Sequence, residues 1–545
     1  MNIKELPTTP FADQKPGTAG LRKSVSRFRE PNYLSNFVQA VFDALPELRG
    51  ERLILGGDGR YFNLEAAGHI LRMAAANGVR EVVVGRDALL STPAAAHLIA
   101  REGAAGGFLL TASHNRGGPD GDFGIKFNVR GGGQASPAVT DRIHQRTLEI
   151  DRFRILDTAV PDLDREGEYT LADMRIRVVD PVAAHADLLE SCFDFERIRD
   201  LLADGFQFRF DALHAVTGPY AREVFQSRLG APAETVLNAI PQPDFAGGHP
   251  DPNPLDAADF YRSCVGPNGP DLAAASDGDG DRNMILYPGG MVSPCDSLAV
   301  IAANHRHIPS LADGLRGVAR SMPTSRALDV VAQDLGIPCH ETPTGWRFFA
   351  SLLDTERIRL CGEESFGTSS DHVREKDGLW AVLAWLQMVA ATGKSVHTLL
   401  REHWQRYGRH YFQRHDYHLS SQDGKAVMDH LAALVAGERD ASGPADRSAE
   451  ITSMDHFAYT DPVTGDQVSK QGIRVFLADG ARIVYRLSGT GTAGATLRIY
   501  LERYQSPEET LDEPPEAMLA PLAEQAVQLA DLPGLAGRRQ PDAAI

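Results

Sequence analysis

The chain has 545 residues, too many for one hydrophobic core, and this length predicts three or four domains of roughly 100–200 residues each. Its composition, 43% hydrophobic and 23% charged, is typical of a soluble globular enzyme, and no apolar run approaches the roughly 20 residues of a membrane helix. The net charge of −18 argues against nonspecific binding to nucleic acid or to an anionic membrane. Bound phosphate would therefore need Arg and Lys residues concentrated in one cleft.

The N-terminus and the cysteines indicate the compartment. Residues 1–15 lack the basic start and apolar centre of a secretory signal, so we expect a cytoplasmic protein. The cysteines lack C-x-x-C spacing, which predicts buried thiols rather than a disulfide framework or a zinc site. They are Cys192, Cys264, Cys295, Cys339 and Cys361.

Apolar runs alternate with helical periodicity through most of the chain, which is the rhythm of an α/β fold. The first unit is expected to contain strands at 52–55, 81–84 and 107–110 and helices at 64–77 and 93–102. The rhythm restarts with a strand at 206–210, a turn at Gly218-Pro219 and a helix, and again with a strand at 317–320 and a helix at 326–333. The sequence therefore predicts three similar α/β units.

The last part of the chain has a different pattern. Residues 437–450 are rich in Gly, Ala and Asp and predict a loop, and strands are expected at 473–476 and 482–485 in a smaller α+β unit. The residues from about Gly537 are expected to fray. The resulting domains are 1–180, 181–294, 295–410 and 411–545.

The most informative motif is Ser276-Asp-Gly-Asp-Gly-Asp-Arg282, in which three carboxylates alternate with glycines. Oxygen ligands alone fit a hard divalent cation, and Mg²⁺ usually completes its shell with water or phosphate oxygens. An EF-hand is excluded, because Arg282 stands where the turn glycine belongs and Pro288 where the bidentate glutamate belongs. Apolar flanks favour a loop between buried strands, with an acidic surface turn as the alternative.

The strand at 107–110 leads directly into Thr111-Ala-Ser-His-Asn115. Because ligands of α/β sheets bind beyond the carboxyl ends of strands, Ser113 is well placed for a cleft. No G-x-S-x-G elbow surrounds it, so an acyl hydrolase has no local support. Taken alone, the stretch is equally compatible with an ordinary polar loop.

The third motif is Arg486-Leu-Ser-Gly-Thr-Gly-Thr492, with Arg498 beyond it. It contains a formal G-x-G-x-x-G, but a dinucleotide fingerprint opens a helix, whereas residues 497–502 alternate as a strand does. A strand, a hydroxyl-rich glycine loop and a second strand suit a small phosphate bound by two guanidiniums. A glycine hairpin with incidental arginines is the alternative.

In their order and spacing these motifs resemble the α-D-phosphohexomutase superfamily, in particular its glucose-phosphate-specific branch, the phosphoglucomutases. The resemblance covers nearly the whole chain, with matching stretches at 14–23, 111–115, 121–128, 277–282, 343–346, 361–367, 374–378 and 486–498. Ala19 and Thr492 stand where serine is frequent, and Asp120 stands where asparagine is common. None of the three is an expected ligand.

The resemblance implies three similar α/β domains and a smaller C-terminal α+β domain around a central cleft. It implies interconversion of glucose 1-phosphate and glucose 6-phosphate through a phosphoserine at Ser113 and glucose 1,6-bisphosphate. Mg²⁺ is expected to be bound by Asp277, Asp279 and Asp281 and by an oxygen of the Ser113 phosphate.

The resemblance also implies roles for other residues. Arg22, His114 and Lys126 are expected around the phosphoserine, with Lys126 a candidate acid or base if neighbouring cations depress its pKa. The expected substrate-binding residues are Arg282, Thr344, Gly345, Glu363, Ser365, Lys376, Arg486, Ser488, Gly489, Thr490 and Arg498.

Two other functions remain open at this point. One is a related mutase acting on mannose or glucosamine phosphates, against which Trp346 and the Glu-Glu-Ser-Phe sequence at 363–366 favour the glucose branch. The other is a non-catalytic scaffold of the same fold, against which the intact Ser113 and the three aspartates argue. The expected partners are sugar phosphates, with no nucleic acid and no membrane, and the chain is expected to act as a monomer or homodimer.

Overall fold

The computed structural model describes residues 3–17, 20–438, 449–489 and 494–545. The first domain is built on a seven-stranded sheet of order β2-β6-β5-β3-β4-β9-β8, with β1 and β7 paired as a separate ribbon. Its strands are β1 (Ile3–Pro7), β2 (Leu21–Ser24), β3 (Arg52–Gly57), β4 (Glu81–Leu89), β5 (Gly106–Leu110), β6 (Asp122–Val129), β7 (Arg152–Leu156), β8 (Gly167–Leu171) and β9 (Met174–Val179). Its helices are α1 (Val25–Phe28), α2 (Tyr33–Ala44), α3 (Asn63–Ala76), α4 (Thr92–Arg101) and α5 (Pro137–Glu149).

The second domain has a five-stranded sheet of order β11-β10-β12-β13-β14. Its strands are β10 (Phe208–Asp211), β11 (Val236–Leu237), β12 (Leu272–Ala275), β13 (Met284–Tyr287) and β14 (Gly290–Val292). Its helices are α6 (Ala183–Cys192), α7 (Phe195–Ala203), α8 (Thr217–Ala221), continued by the π-helical Arg222–Arg228, and α9 (Ala258–Val265). The expected turn at Gly218-Pro219 is wrong, because both residues lie in the first turn of α8. Proline is tolerated there because a backbone N–H in the first turn has no partner within the helix.

The third domain has a four-stranded sheet of order β16-β15-β17-β18. Its strands are β15 (Val318–Ser321), β16 (Cys339–Thr342), β17 (Leu360–Glu363) and β18 (Gly367–Ser370). Its helices are α10 (Pro294–Ala303), α11 (Ala327–Leu335), α12 (Arg347–Asp354), α13 (Gly378–Thr392) and α14 (Val396–Tyr407). Among the described residues no single helix is long and apolar enough to cross a membrane; α13 and α14 pass that test only as a pair, bent by 85°.

These three sheets share one topology, which confirms the expectation of three similar α/β units. In each sheet a central strand, β3, β10 or β15, lies between the next two strands of the chain, and all three are parallel. The strand after these, β6, β13 or β18, then returns antiparallel to β5, β12 or β17. The connections β5–β6, β12–β13 and β17–β18 therefore leave each sheet at its carboxyl edge, where ligands of such sheets bind.

The C-terminal domain is a six-stranded sheet of order β20-β23-β24-β25-β19-β26 with helices against it. Its strands are β19 (Arg409–Leu419), β20 (Ile451–His456), β21 (Tyr459–Thr460), β22 (Gln467–Val468), β23 (Ile473–Leu477), β24 (Arg482–Gly489), β25 (Ala495–Gln505) and β26 (Ala543–Ala544). Its helices are α15 (Ser421–Val435), α16 (Pro515–Leu529) and α17 (Leu532–Ala536). Most of the loop expected at 437–450 lies outside the described residues.

The chain end does not fray as expected. Strand β26 pairs with β19, and the backbone N–H of Ile545 donates to the carbonyl of Arg414 at 2.9 Å. The cysteines are all free thiols, as expected, and all are buried except Cys339, which is half-buried.

A buried ion pair within the C-terminal domain contacts the third domain through its arginine. The Nε of Arg482 donates to Glu502 at 2.8 Å, and both side chains are almost completely buried. The remaining guanidinium nitrogens of Arg482 donate to the carbonyls of Met322 and Thr324 in the third domain. Burial raises the pKa of Glu502, but Arg482 and its other cationic neighbours outweigh this and lower it well below its usual range.

We expect Glu502→Ala to lower the free energy of unfolding by about 3–5 kcal/mol, because it removes the nearer counter-charge of the buried Arg482 guanidinium and leaves only Glu341, 3.5 Å away. Urea denaturation followed by circular dichroism measures the change. The exposed Glu508→Ala is the control and should stay within about 0.5 kcal/mol of the parent. Equal stability of the two variants would contradict this account of the interface.

Candidate active site

The loop between β5 and β6 of the first domain contacts the loop between β12 and β13 of the second domain. Ser113 lies in the loop between β5 and β6, and Asp277 lies in the loop between β12 and β13. The Oγ of Ser113 donates a hydrogen bond to Asp277 Oδ2 at 2.7 Å, and both side chains are buried. The two strongest sequence motifs are therefore in contact although 164 residues separate them.

Ser113 is supported by residues that sequence reasoning missed. Its backbone φ is +52°, in the left-handed region, and its N–H donates to Thr111 Oγ1 at 2.7 Å. Thr111 in turn donates to Asp58, which forms a fully buried ion pair with Arg60. Arg60 closes the network by donating to the Ser113 carbonyl at 2.6 Å. The signal that could have identified Asp58 and Arg60 is their position directly after strand β3, at the same sheet edge.

The three aspartates form one buried cluster. Each of Asp277, Asp279 and Asp281 offers a carboxylate oxygen within 4.8 Å of the others. The loop is curled by backbone N–H groups of residues 281 and 282, which donate to Asp277 Oδ1. It also approaches the serine closely, since a Cβ on Gly278 would lie 2.4 Å from the Ser113 carbonyl oxygen. Burial on all sides excludes the alternative of an acidic surface turn.

The electrostatics of this cluster favour a hard divalent cation. Burial raises the pKa of Asp277 well above its usual range, and the neighbouring Asp279 and Asp281 raise it further. Asp279 Oδ1 is buried without a hydrogen-bond partner, although Oδ2 of the same group accepts from Thr92 at 2.7 Å. Converging carboxylates with an unpartnered oxygen and no Cys or His are a donor set that fits Mg²⁺.

Two lysines approach the aspartates from other loops. Lys126 Nζ lies 3.7 Å from Asp279 and 3.6 Å from Glu375, and Lys376 Nζ lies 3.2 Å from Asp281. Burial lowers the pKa of Lys126, but Glu375 and the aspartates outweigh it and the net shift is upward. The expected depression of this pKa by neighbouring cations is therefore wrong, because a buried glutamate that the motif analysis did not single out faces the lysine.

Three further expected residues lie around the serine and the cluster. The Nδ1 of His114 is 3.4 Å from Ser113 Oγ, and burial followed by the charges of Arg282 and Arg22 lowers its pKa well below its usual range. The imidazole is thus neutral near pH 7. The Nε of Arg282 lies 3.8 Å from Asp277 Oδ2. Arg22 is half-buried, and burial lowers its pKa more than Asp279 raises it.

The third domain brings its loops to a common point. Glu363 ends β17, is buried, and accepts a hydrogen bond from the backbone N–H of Gly345 at 2.8 Å. The Thr344 hydroxyl is buried without a hydrogen-bond partner, and Ser365 is half-buried two residues beyond Glu363. Burial raises the pKa of Glu363, and Lys376 partly offsets this shift. The structure thus joins Thr344 and Gly345 to Glu363.

The C-terminal domain contributes two adjacent guanidiniums. Arg486 on β24 and Arg498 on β25 are direct cross-strand partners, which confirms two strands rather than a dinucleotide-binding helix. Arg486 donates to Tyr500 Oη at 3.1 Å. The buried Nε of Arg498 has no hydrogen-bond partner, and the nearest carboxylate oxygen, Asp416 Oδ1, lies 3.8 Å away. Like charges directly opposite each other are unfavourable, so this pair favours an anion between them. Ser488 lies on β24, as Arg486 does, and is half-buried.

The remaining predicted residues of this loop are Gly489 and Thr490. Gly489 ends β24, and Thr490 lies outside the described residues. The charge of Arg498 is one of the causes that lower the pKa of His114. The arginine pair is therefore within electrostatic range of the serine loop.

A phosphoglucomutase of Rhizobium radiobacter is 51% identical to this chain over 503 residues, covering 92% of each protein. The chain belongs to the phosphoglucomutase family. Phosphoglucomutase-1 of Bos taurus is 45% identical over 560 residues, covering 99% of each. Among solved structures, parafusin, a phosphoglucomutase of Paramecium in an open form, superposes with a TM-score of 0.89 at 42% identity, covering 100% of this chain and 99% of that one.

Family models match each part of the chain. Models described as phosphoglucomutase/phosphomannomutase alpha/beta/alpha domains I, II and III match residues 13–154, 183–290 and 294–407, and a phosphoglucomutase-1 C-terminal domain model matches 409–542. The fold of three α/β domains and a C-terminal domain is therefore that of the phosphoglucomutase family, as the sequence predicted.

We expect Asp277→Asn to raise the thermal unfolding midpoint at pH 7 in the absence of divalent cations. Asparagine can keep the contacts with Ser113 and the loop N–H groups, and it removes a buried charge facing two others. Because the pKa of Asp277 is raised in the folded protein, the parent carboxylate takes up a proton as pH falls below 7. The gain should therefore shrink with falling pH and vanish at about pH 4, where the carboxylate of the unfolded chain is protonated as well.

Differential scanning calorimetry with EDTA and with millimolar Mg²⁺ checks this prediction. Mg²⁺ should stabilise the parent more than the variant and reverse their order. The exposed Asp259→Asn, which makes the same change in net charge, should respond to neither condition. A lower midpoint for Asp277→Asn in EDTA would contradict the repulsion inferred here.

Proposed function

We propose that this protein interconverts glucose 1-phosphate and glucose 6-phosphate through a phosphoserine at Ser113 and glucose 1,6-bisphosphate. The observation that carries the proposal is the 2.7 Å contact between Ser113 Oγ and the buried aspartate cluster. Phosphate on Ser113 is donated to the free hydroxyl of the sugar phosphate, the bisphosphate turns over, and its other phosphate returns to Ser113.

The aspartate cluster explains how phosphate can be carried at this point. A phosphoserine adds about −1.5 to −2 charges, which would face three carboxylates. Asp277, Asp279 and Asp281, with an oxygen of the Ser113 phosphate, would hold Mg²⁺, which when bound offsets these charges and stabilises charge on the transferring phosphoryl group. The ion pair of Asp58 and Arg60, bonded to the Ser113 carbonyl, keeps the serine hydroxyl directed at this cluster.

The surrounding cations support the same transfer. Lys126 remains protonated because its pKa is raised, so we assign it electrostatic stabilisation of the phosphoryl group rather than removal of a proton. Arg22 and Arg282 add positive charge on the phosphoserine side. The neutral imidazole of His114, 3.4 Å from Ser113 Oγ, orients the serine oxygen through a hydrogen bond.

The sugar and its second phosphate are assigned to the third and C-terminal domains. Glu363 accepts hydrogen bonds from two neighbouring sugar hydroxyls, which allows either orientation of the ring, and Thr344, Gly345, Ser365 and Lys376 line the same pocket. The non-reacting phosphate is bound by a hydroxyl- and guanidinium-rich set. This set is Arg486, Ser488, Gly489, Thr490 and Arg498.

The models of the first three domains are shared by phosphomannomutases, so mannose 1-phosphate is the competing substrate to assay. We also infer a cytoplasmic location, as in the phosphoglucomutase of Bromus inermis named cytoplasmic, which is 45% identical over 575 residues and covers 99% of each chain. A monomer and a homodimer both leave the proposed site within one chain.

We expect Ser113→Ala to lower kcat for glucose 1-phosphate by at least about 10⁴-fold, because it removes the atom that carries the phosphoryl group. A coupled assay of glucose 6-phosphate formation measures the loss, and circular dichroism checks folding. Intact-mass analysis of the parent should show a phosphate-sized excess localised to Ser113. The exposed Ser191→Ala is the control, and near-parental turnover of Ser113→Ala would defeat the phosphoenzyme mechanism.

We expect Arg498→Ala to raise KM for glucose 1-phosphate about tenfold or more, because one charge-assisted hydrogen bond to the non-reacting phosphate contributes about 1.5–3 kcal/mol. The Mg²⁺ concentration for half-maximal activity should stay unchanged. Arg503→Ala on the same strand, whose guanidinium pairs with Asp479, is the matched control. An unchanged KM for Arg498→Ala would remove this residue from the phosphate site.

A further inference from the structure

A short segment of the third domain, Glu375-Lys376-Asp377-Gly378, joins all three α/β domains, and we call it the 375–378 strap. Glu375 is fully buried and accepts hydrogen bonds from Asn128 and Gln134 of the first domain, both at 2.9 Å. Lys376 reaches Asp281 of the second domain. Gly378 N donates to the carbonyl of Gly280 in the same aspartate loop.

Asp377 lies in a second buried cluster that the proposed chemistry does not use. Its Oδ2 accepts hydrogen bonds from His185 Nε2 at 2.6 Å and from His372 Nε2 at 3.1 Å. The other ring nitrogen of His372 is 2.8 Å from Ser370 Oγ. The side chains of Asp377, His185 and His372 are 0%, 1% and 4% exposed. Although burial opposes ionisation, the two imidazoles lower the pKa of Asp377, so it is a carboxylate at neutral pH.

His185 comes from helix α6 of the second domain and connects to the aspartate loop by another route. Its ring lies edge-on to Tyr220, with centroids 5.7 Å apart. The Tyr220 hydroxyl accepts from the backbone N–H of Ser91, and the next residue, Thr92, donates to Asp279. His185 thus lies between the 375–378 strap and the segment that supports Asp279.

Helix capping alone does not account for this cluster. Asp377 caps α13 through Oδ1, which accepts from Trp380 N at 3.1 Å, whereas both imidazoles bind Oδ2. A serine or asparagine would cap the helix without a buried charge. A fully buried carboxylate with two histidine partners costs desolvation that a cap does not need, so the cap alone does not explain the charge at this position.

We propose that Asp377 and His185 are positioning residues of the mutase site. Their hydrogen bond fixes the 375–378 strap to the second domain and thereby aligns Glu375 with Lys126 and Lys376 with Asp281. The inference rests on the proposed function, since it concerns the geometry of that same phosphoryl transfer. Because the strap lies on the side of the aspartates, its displacement should affect kcat more than the binding of the distal phosphate.

Asp377→Asn tests the proposal, since asparagine keeps the Oδ1 cap and the shape but loses the oxygen that both imidazoles share. We expect kcat to fall about 10- to 100-fold, as small misplacements of reacting groups do, with KM for glucose 1-phosphate within about twofold. His185→Gln retains a donor at the position of Nε2 and should keep most of the activity. His185→Leu removes the donor and should lose as much as Asp377→Asn.

The double variant His185→Leu/Asp377→Asn should lose no more than Asp377→Asn alone, because each change removes the hydrogen bond between His185 and Asp377. The matched control is His305→Gln, a buried histidine of the third domain whose ring donates to the Ala302 carbonyl, away from the proposed site, and it should leave kcat unchanged. The thermal unfolding midpoints of all variants show whether a loss of kcat comes from displaced site residues or from unfolding of the protein.

Equal kcat values for His185→Gln and His185→Leu overturn the proposal, as do additive losses in the double variant or a parental kcat in folded Asp377→Asn. If Asp377→Asn does not fold, the two His185 variants decide alone. Absence of turnover in the parent would instead refute the proposed function, so the two failures are distinguishable.

Discussion

Three carboxylates buried within 4.8 Å of one another are the constraint on which the rest of this structure depends. Two unit charges 4 Å apart interact by about 4 kcal/mol at an effective dielectric of 20, so the cluster persists only if positive charge surrounds it. Lys126 comes from the first domain, Arg282 from the second and Lys376 from the third. The need to neutralise one loop therefore explains why three domains meet at this point.

The repeated topology explains how they can meet. The connections β5–β6, β12–β13 and β17–β18 lie at the carboxyl edges of the three sheets; the first two carry Ser113 and the aspartates, and Glu363 ends β17 at the third. In two domains the end of the central strand, β3 or β15, and the loop after it support these residues. Arg60 donates to the Ser113 carbonyl, and Ser321 and Thr324 bond Glu364 next to Glu363. One backbone arrangement thus serves different chemistry according to the residues in equivalent loops.

The sequence predicted the features that are local and failed where the partners are remote. Ser113 and the aspartates follow apolar strands directly, so motif and strand position together were sufficient. Glu375 could not be recognised in this way, because its partner Asn128 is 247 residues away in another domain. The direction of the Lys126 pKa shift was wrong for the same reason. The expected fraying of the chain end failed because β26 completes a sheet begun at β19.

The register of the C-terminal sheet relates the proposed site of the distal phosphate to the rest of the structure. Arg482 pairs across the strands with Glu502, and four residues further Arg486 pairs with Arg498. Side chains alternate along a strand, so both pairs lie on one face, about 13 Å apart at roughly 3.3 Å per residue.

The first of these pairs also contacts the side of the cleft to which sugar binding is assigned in the proposed function. Arg482 donates to the carbonyl of Thr324, and the hydroxyl of the same threonine accepts from the N–H of Glu364. The buried interface and the arginine pair therefore lie on the same two paired strands, β24 and β25, which are attached beside Glu363. In the proposed mechanism, a bisphosphate that reverses between two transfers would need its distal phosphate held at a constant distance from the reacting one. Strand register would provide that constancy, because it does not depend on which end of the sugar is bound.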